Sequence, residues 1–514
     1  MGEQTLSTGK SVLLLTVLGI VSQVLSFFYR VMLSRLAGAE VMGLYQLVMP
    51  VYSVLMSVTA IGLTAAVSNL TAQYLAFHNH LAVRQTLATC LKTFFLLLLP
   101  LGTAIILLSD PISTALLGDA RTQLGLILLI PCIALTGIEN LHKYVFYGSG
   151  QVHIPATVEL LEQFVRAAAV LFLLRAFLPQ YPERVVGLIV LGMVACEIFS
   201  SCTLFVLYRR QSGVKSRSGP GEAARIRRRR VASIAIPVSF NSLLGNLISA
   251  ANATLIPRLL VQGGLERSDA ISQFGVVCGM TLPMLAMPTV FLNTLTLLLS
   301  PRLARAFALN RRSEIQRLLT RALSVTSILA LPAMAWMVVL GPDLGRLMFH
   351  QDGVGTFLLP LAIMMAMSCY CSVFASALNA VGCQKSVAVV SLLGNTLQLF
   401  FTLLLLPIPG VGMAGYVMGA LVSAFLEFLL FLVLTLRRTG LSLRLFPWFT
   451  APGLASLLSA LTSNLLFHTL KDSGIPLPAA GLFAVLFALL IYLAALQGQG
   501  IRPVQILSFR SRSS

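Results

Sequence analysis

Apolar runs of about 20 residues recur from one end of the chain to the other. Nothing else constrains the fold as much, because that length is what an α-helix needs to cross the hydrocarbon of a bilayer. The runs fall at 11–36, 42–75, 86–108, 123–147, 154–178 and 185–208, then at 231–257, 271–300, 320–341, 355–380, 386–407 and 411–436, with a last pair at 447–468 and 478–497. Inside hydrocarbon each backbone N–H and C=O must find its partner within the segment, so runs of this kind become helices. They predict an all-α polytopic membrane protein of about fourteen transmembrane helices. Of the 514 residues, 57% are hydrophobic and 10% charged, and the mean hydropathy is +0.89. Such a chain is too apolar for water and too long for a single anchor.

A net charge of +19 would suggest nucleic acid in a soluble protein, but here the basic residues gather in a few short connections. Arg84 and Lys92, Lys143, the runs 209–230 and 302–321, Lys385, the run 437–444 and the tail residues Arg502, Arg510 and Arg512 all fall on one side of the predicted membrane. The other side holds Arg121, Arg184, Arg267, Arg346 and Lys471. By the positive-inside rule the protein is multi-pass in the cell membrane with both termini cytoplasmic, and no nucleic-acid partner is expected. The most basic stretch, 209–230, also carries Gly, Ser and Pro. It reads as a linker held to anionic inner-leaflet lipid, at about 1 kcal/mol per basic residue.

This linker divides the chain into a six-helix lobe at 1–208, a second at 231–437, two further helices at 438–500 and a basic cytoplasmic tail at 501–514. Two echoes suggest that the lobes are repeats. LSRLAG around Arg35 resembles IPRLLVQG around Arg258, and FYGSGQVHIPATVELLEQ (146–163) aligns with LNAVGCQKSVAVVSLLGN (378–395). Each lobe has an even number of spans, so the repeat is parallel, about an axis along the membrane normal, with a cavity expected between the lobes. In the second echo Glu159, Glu162 and Gln163 meet Ser391, Gly394 and Asn395, which confines the charge to one lobe.

The stretch VELLEQFVR (158–166) places Glu159, Glu162, Gln163 and Arg166 on one face of an otherwise apolar helix. If that helix enters the bilayer near Pro155, Arg166 lies about 16 Å in, close to the midplane. A lone charge there costs about 3 kcal/mol on insertion scales, so it must meet a partner or water. Glu162, one turn back, is the local partner, and both a structural ion pair and a cavity-lining site fit. Arg30 in the first helix, and Asn241 among Asn246, Ser249 and Asn252 in the helix opening the second lobe, are further candidates to line a wet path. Arg35 reads as a residue snorkelling to the outer surface. Glu139, Glu159, Glu197 and Glu427 also lie in or beside spans. Glu139, Glu159 and Glu427 are the candidates to couple transport to protons or another cation. Pro283 and Pro288, with Gly279 nearby, are the expected hinge.

Several chemistries are excluded. The GKS at 9–11 lacks the first glycine of a phosphate loop, where Gln4 stands, and no strand precedes it. The eight cysteines show no metal-ligand spacing, the histidines form no HExxH, and neither cofactor nor metal is expected. The N-terminus has Lys10 before its apolar run and no small-residue cleavage site, so the first helix is expected to be retained. A polytopic glycosyltransferase or ligase would have to rest on Asp110, Asp119, Asp343 and Asp352. The chain is not expected to be an enzyme.

FYRVMLSRLAGAEVMGLYQLVMPVYS (28–53), AVSNL (66–70), YGSGQ (147–151) and LEQFVR (161–166) together resemble the MOP flippase superfamily of multidrug, oligosaccharidyl-lipid and polysaccharide exporters. The resemblance covers nearly the whole chain and is closest to the stage V sporulation protein B-like branch, akin to lipid II flippases. It implies two six-helix lobes around a central cavity and alternating access. It also implies transfer of an undecaprenyl-pyrophosphate-linked saccharide, a lipid II-like peptidoglycan precursor or polysaccharide unit, from the inner to the outer leaflet. A sporulation role and an association with cell-wall synthesis proteins follow from the same resemblance. Related flippases often carry a basic residue near the position of Gln23, which leaves anion capture here to Arg30 and Arg166. A cation-coupled multidrug exporter of the same fold is the alternative, distinguished by a net acidic rather than net cationic cavity.

Overall fold

A computed structural model describes residues 2–215, 221–287, 289–309, 311–441 and 446–500. Within them the apolar runs fold into helices, with no strand among the described residues. The principal helices are α1 (Gly2–Met56), α2 (Gly62–Ala76), α3 (His80–Leu107), α4 (Gln123–Gly148), α5 (His153–Phe177), α6 (Val185–Lys215), α7 (Ala224–Gln262) and α8 (Arg267–Phe274). They continue with α9 (Thr289–Ala308), α10 (Arg312–Phe349), α11 (Leu358–Ala380), α12 (Gln384–Leu405), α13 (Met413–Thr439), α14 (Ala451–Asp472) and α15 (Leu477–Gly498).

Among the described residues, 11 stretches are long and apolar enough to cross a membrane. The first, Val17–Ala76, joins two expected spans in 60 residues. It turns at Gly38, whose φ of 82° is open to glycine at little cost. Two expected spans are not among the 11. The span at 154–178 is α5, which carries Glu159, Glu162, Arg166 and Arg175. The span at 271–300 is interrupted: α8 runs into a π-helical segment, Gly275–Thr281, then a single turn, Leu282–Leu285, before α9 begins. Pro283 sits in the first turn of that short piece, where its missing N–H is tolerated. Pro288 lies outside the described residues.

The chain forms two compact units, one of residues 1–258 and 266–275, the other of residues 259–265 and 276–514. The division therefore falls at the end of α7 rather than in the 209–230 linker, and the helix expected to open the second lobe packs with the first unit. Polar side chains on α7 explain this. Asn246 Nδ2 donates to Ser57 Oγ at 2.6 Å, and Ser57 Oγ lies 3.1 Å from Ser242 Oγ. Ser57 opens the π-helical segment Ser57–Ile61 between α1 and α2.

In the first unit α4 and α6 pack along their lengths, α5 lies against α6 and α1, and α2 lies against α4. The second unit is built on fully buried Phe374, Phe431 and Trp448. Its last two helices are held by Trp336 Nε1 donating to Ser459 Oγ at 2.9 Å and Tyr492 OH donating to the Ile328 carbonyl at 3.1 Å. Beside them lies an apolar cavity of about 450 Å³ lined by Met334, Val338, Ile363, Tyr370, Phe449 and Leu461, among others.

Candidate functional site

α4, α5 and α6 of the first unit bring six charged side chains into one cluster, buried except at its edge, where the Glu159 side chain is 43% exposed. Helical spacing places Glu139 and Lys143 one turn apart on α4, and Glu159, Glu162 and Arg166 along one face of α5. α6 contributes Cys196 and Glu197. Glu139, Glu162 and Glu197 are all buried, at 3–5% exposure.

Arg166 is the hub. It donates through Nη2 to Glu162, lies 3.6 Å from Glu197 Oε1, and points Nε at Cys196 Sγ at 3.4 Å. Lys143 ties the second half together, 3.0 Å from Glu159 and 3.8 Å from Glu139. Ser200 Oγ donates to Glu139 Oε2 at 2.9 Å, whereas Glu197 Oε2 is buried without a hydrogen-bond partner. Four carboxyls thus surround two cations. Burying unpaired charge is expensive, so the surplus acidity is where a proton or a small cation would be taken up. Tyr29, Tyr45 and Tyr52 of α1 lie within the electrostatic reach of Arg166, and the Tyr29 hydroxyl is likewise buried and unpartnered.

Ligand atoms of Glu162, Cys196 and Glu197 lie within 4.8 Å of one another, the spacing of a metal site. The donor set does not fit a metal, because the Arg166 guanidinium already contacts all three residues and serves as the resident cation.

The expected site residues divide between four places. Glu139, Glu159, Glu162 and Arg166 meet in the cluster, with Gln163 beside it. Gln163 is half-buried, and its Oε1 is buried without a partner. Arg30 on α1 is half-buried and within electrostatic reach of Tyr45, as Arg166 is. Among the described residues no carboxylate lies within ion-pair distance of it. Asn241 is exposed on α7, and its neighbour Asn246 makes the buried contacts to Ser57 and Ser242. Glu427 belongs to the second unit, where it accepts from Ser391 Oγ at 3.0 Å.

Three contacts were not read from the sequence. Lys143 read as a basic residue near an inner mouth, spaced one turn from Glu139 as Arg166 is from Glu162, but its second partner, Glu159 on α5, was not read; its side chain is 13% exposed. Cys196 read as a small packing residue. Ser57 carried no signal, since a serine in an apolar helix can bond its own i−4 carbonyl, as Ser57 also does to Ser53 at 2.8 Å. Two of the four aspartates a ligase would need are otherwise engaged, and Asp110 is exposed. Asp119 pairs with Arg121 at 2.8 Å and Asp343 with Lys471 at 3.3 Å, while the side chain of Asp352 lies outside the described residues.

Solved structures share this architecture. The lipid II flippase MurJ, in an inward closed conformation, matches with a TM-score of 0.68 at 13% identity, over 95% of this chain and 98% of that one. An inward-facing multidrug resistance MATE family transporter of the MOP superfamily matches with a TM-score of 0.64 at 13% identity, over 84% of this chain and 100% of that one. The molecule is a multi-pass membrane protein with a MurJ- and MATE-like transporter fold. The family described as polysaccharide biosynthesis protein matches residues 8–292, and the chain belongs to it. Stage V sporulation protein B of Bacillus subtilis (strain 168) is 23% identical over 433 residues, 84% of this chain and 83% of that protein. Sporulation protein YkvU of the same organism is 20% identical over 348 residues, 66% and 75% of the two chains.

Proposed function

We propose that the protein carries an undecaprenyl-pyrophosphate-linked saccharide, a peptidoglycan precursor or polysaccharide unit, from the inner to the outer leaflet by alternating access. Membership of a polysaccharide biosynthesis family is the observation that supports this reading most. A diphosphate headgroup cannot enter hydrocarbon bare, whereas a guanidinium in a hydrated cavity offers it charge-assisted hydrogen bonds while the polyprenyl tail stays in lipid. Arg30 suits that role better than Arg166, because the charge of Arg166 is already met by the carboxyls of Glu162 and Glu197. Outward movement of an anion is favoured by an inside-negative potential, by about 2.3 kcal/mol per charge per 100 mV.

In this reading both termini are cytoplasmic, and the moving parts follow the six-helix lobes 1–208 and 231–437, except that α7 travels with the first unit. The interruption around Pro283 acts as a hinge. Glu139, Glu159 and Glu427 supply ion coupling, with Glu162, Gln163 and Asn241 on the substrate path. Cell-wall synthesis proteins are the partners this chemistry suggests.

The excess of carboxyls over cations favours one other reading, a cation-coupled multidrug exporter. Proteoliposomes separate the two. Wild type should translocate lipid II or a related undecaprenyl-pyrophosphate saccharide, faster under an imposed outward-favouring potential, and Arg30→Gln should slow it at least about tenfold. Drug efflux driven by a cation gradient, without lipid translocation, would replace the proposal with the exporter.

A further inference from the structure

At the ends of α2 and α4 that turn into the 77–79 and 149–152 connections, the first unit carries a groove of about 690 Å³. Ser68, Asn69 and Gln73 of α2 form one wall, and Tyr144 and Tyr147 of α4 form the other. The walls meet at Gly148, where an added Cβ would stand 2.5 Å from the Ser68 carbonyl oxygen, so only glycine permits this approach. Small residues at Ala65 and Ala72 leave the space between them open.

The groove's chemistry is uncharged but rich in hydrogen-bonding groups. Gln73 Nε2 donates to Asn69 Oδ1 at 2.7 Å, which leaves the Asn69 amide NH2 and the Gln73 carbonyl oxygen to present a donor beside an acceptor. The two tyrosine rings lie edge to face, 5.3 Å apart at 76°, both half-buried. Among the described residues neither phenol hydroxyl has a hydrogen-bond partner. No charged side chain lines the groove. An ionic ligand finds no counter-charge in it, and a purely apolar one leaves the amides unpaired at a cost. Vicinal hydroxyls on a ring with an apolar face match both walls, the hydroxyls against the amides and the C–H face against an aromatic ring.

We propose that this groove binds the saccharide of the transported lipid, through stacking on Tyr144 or Tyr147 and hydrogen bonds to Asn69 and Gln73. The proposal rests on the flippase reading for the source of the sugar, but its geometry is independent of that reading.

The test compares three probes on the purified full chain in detergent: undecaprenyl pyrophosphate bearing an N-acetylhexosamine disaccharide, bare undecaprenyl pyrophosphate, and free chitobiose followed by saturation-transfer NMR. Wild type should bind the glycan-bearing lipid at least about tenfold more tightly than the bare lipid. Tyr144→Leu/Tyr147→Leu should remove that preference and the saturation transfer while keeping affinity for the bare lipid, whereas Tyr144→Phe/Tyr147→Phe should retain most of both. Asn69→Ala/Gln73→Ala alters exposed side chains and should fold if the leucine pair does not; it should cut the preference about fivefold. An unchanged preference in both the leucine and the alanine variants would overturn the proposal. If wild type binds neither lipid, the flippase reading fails. Saturation transfer lost in the leucine or alanine variants would then sustain the sugar site, and its absence from wild type would end it.

Discussion

In the repeat suggested by the sequence echo, the helix pair α5 and α6 in the first unit corresponds to the pair α12 and α13 in the second, and the two pairs are built with opposite polarity. In the first, Glu162 and Arg166 on α5 face Cys196 and Glu197 on α6, and every charge has a charged neighbour. In the second, Gly394 stands where Glu162 stands, and the absent side chain leaves room for Glu427, whose Oε2 lies 3.2 Å from where a Cβ would sit. Glu427 has only the Ser391 hydroxyl as a recorded hydrogen-bond partner among the described residues. The first pair buries ions as a mutually dependent network, whereas Glu427, half-buried, is the single carboxyl among the described residues of α12 and α13. The two helix pairs thus carry very different charge, with each carboxyl either paired or given room and a hydroxyl.

Removing the hub should separate the two units most sharply. Arg166→Ala strands Glu162 and Glu197 and is expected to destabilise the protein by about 3–5 kcal/mol, measured by thermal or denaturant unfolding in detergent. Adding Glu162→Gln should recover part of the loss, and a double variant no better than the single would break the network reading. The next effect tests the turns that precede the two pairs. Gly148→Ala drives a methyl against the Ser68 carbonyl and should cost about 1–3 kcal/mol, although the aligned residue of the second unit is already Ala380. An unaffected melting temperature would show that the first unit can open at this point.

Smaller again is Gly394→Ala, which presses on a carboxylate able to shift by a few tenths of an ångström. A loss near 1 kcal/mol is expected, and Gly394→Ala with Glu427→Ala should behave like Glu427→Ala alone.

The smallest change at neutral pH lies away from the buried cluster. Asp119 caps the turn Ala120–Thr122 and binds Arg121, which reaches Glu40 on α1 at 2.6 Å. Burial opposes ionisation of Asp119, but the hydrogen bonds and charge of Arg121 outweigh it and hold the carboxyl below its usual pKa. Its folded value is depressed, so its stabilisation is fully present above the unfolded value of about 3.9 and disappears as pH falls through the lowered folded value. Asp119→Asn should forfeit that contribution at neutral pH, flatten the part of the unfolding profile below pH 4, and converge on wild type in strong acid. No difference in the acid limb would mean that Arg121 is held by Glu40 alone.

Much of the fold was legible in the sequence because hydrocarbon imposes length and apolarity on every span. Even the exceptions had visible causes, the charges of α5 and the prolines near 283. The pairing of Glu162 with Arg166 was legible too, since it lies within one helix at a fixed offset. What escaped was any contact between helices. Cys196 joined the site, and Lys143 gained Glu159 beside the Glu139 of its own helix, only when α4, α5 and α6 met, and Asn246 rather than Asn241 turned out to face Ser57. The neutralisation of Arg166 by two carboxyls, one of them on another helix, also lay outside any single-helix pattern, and it shifts the candidate for anion binding to Arg30.

The sequence by itself determined that this chain spans a membrane many times, where its helices run, and which side chains share a face within each, because those follow from backbone hydrogen bonding and helical period. The tertiary structure alone decided which faces meet. In lipid no hydrophobic force selects one helix partner over another, so close packing at small residues and the pairing of a few polar groups make that choice, and neither can be read from one helix at a time.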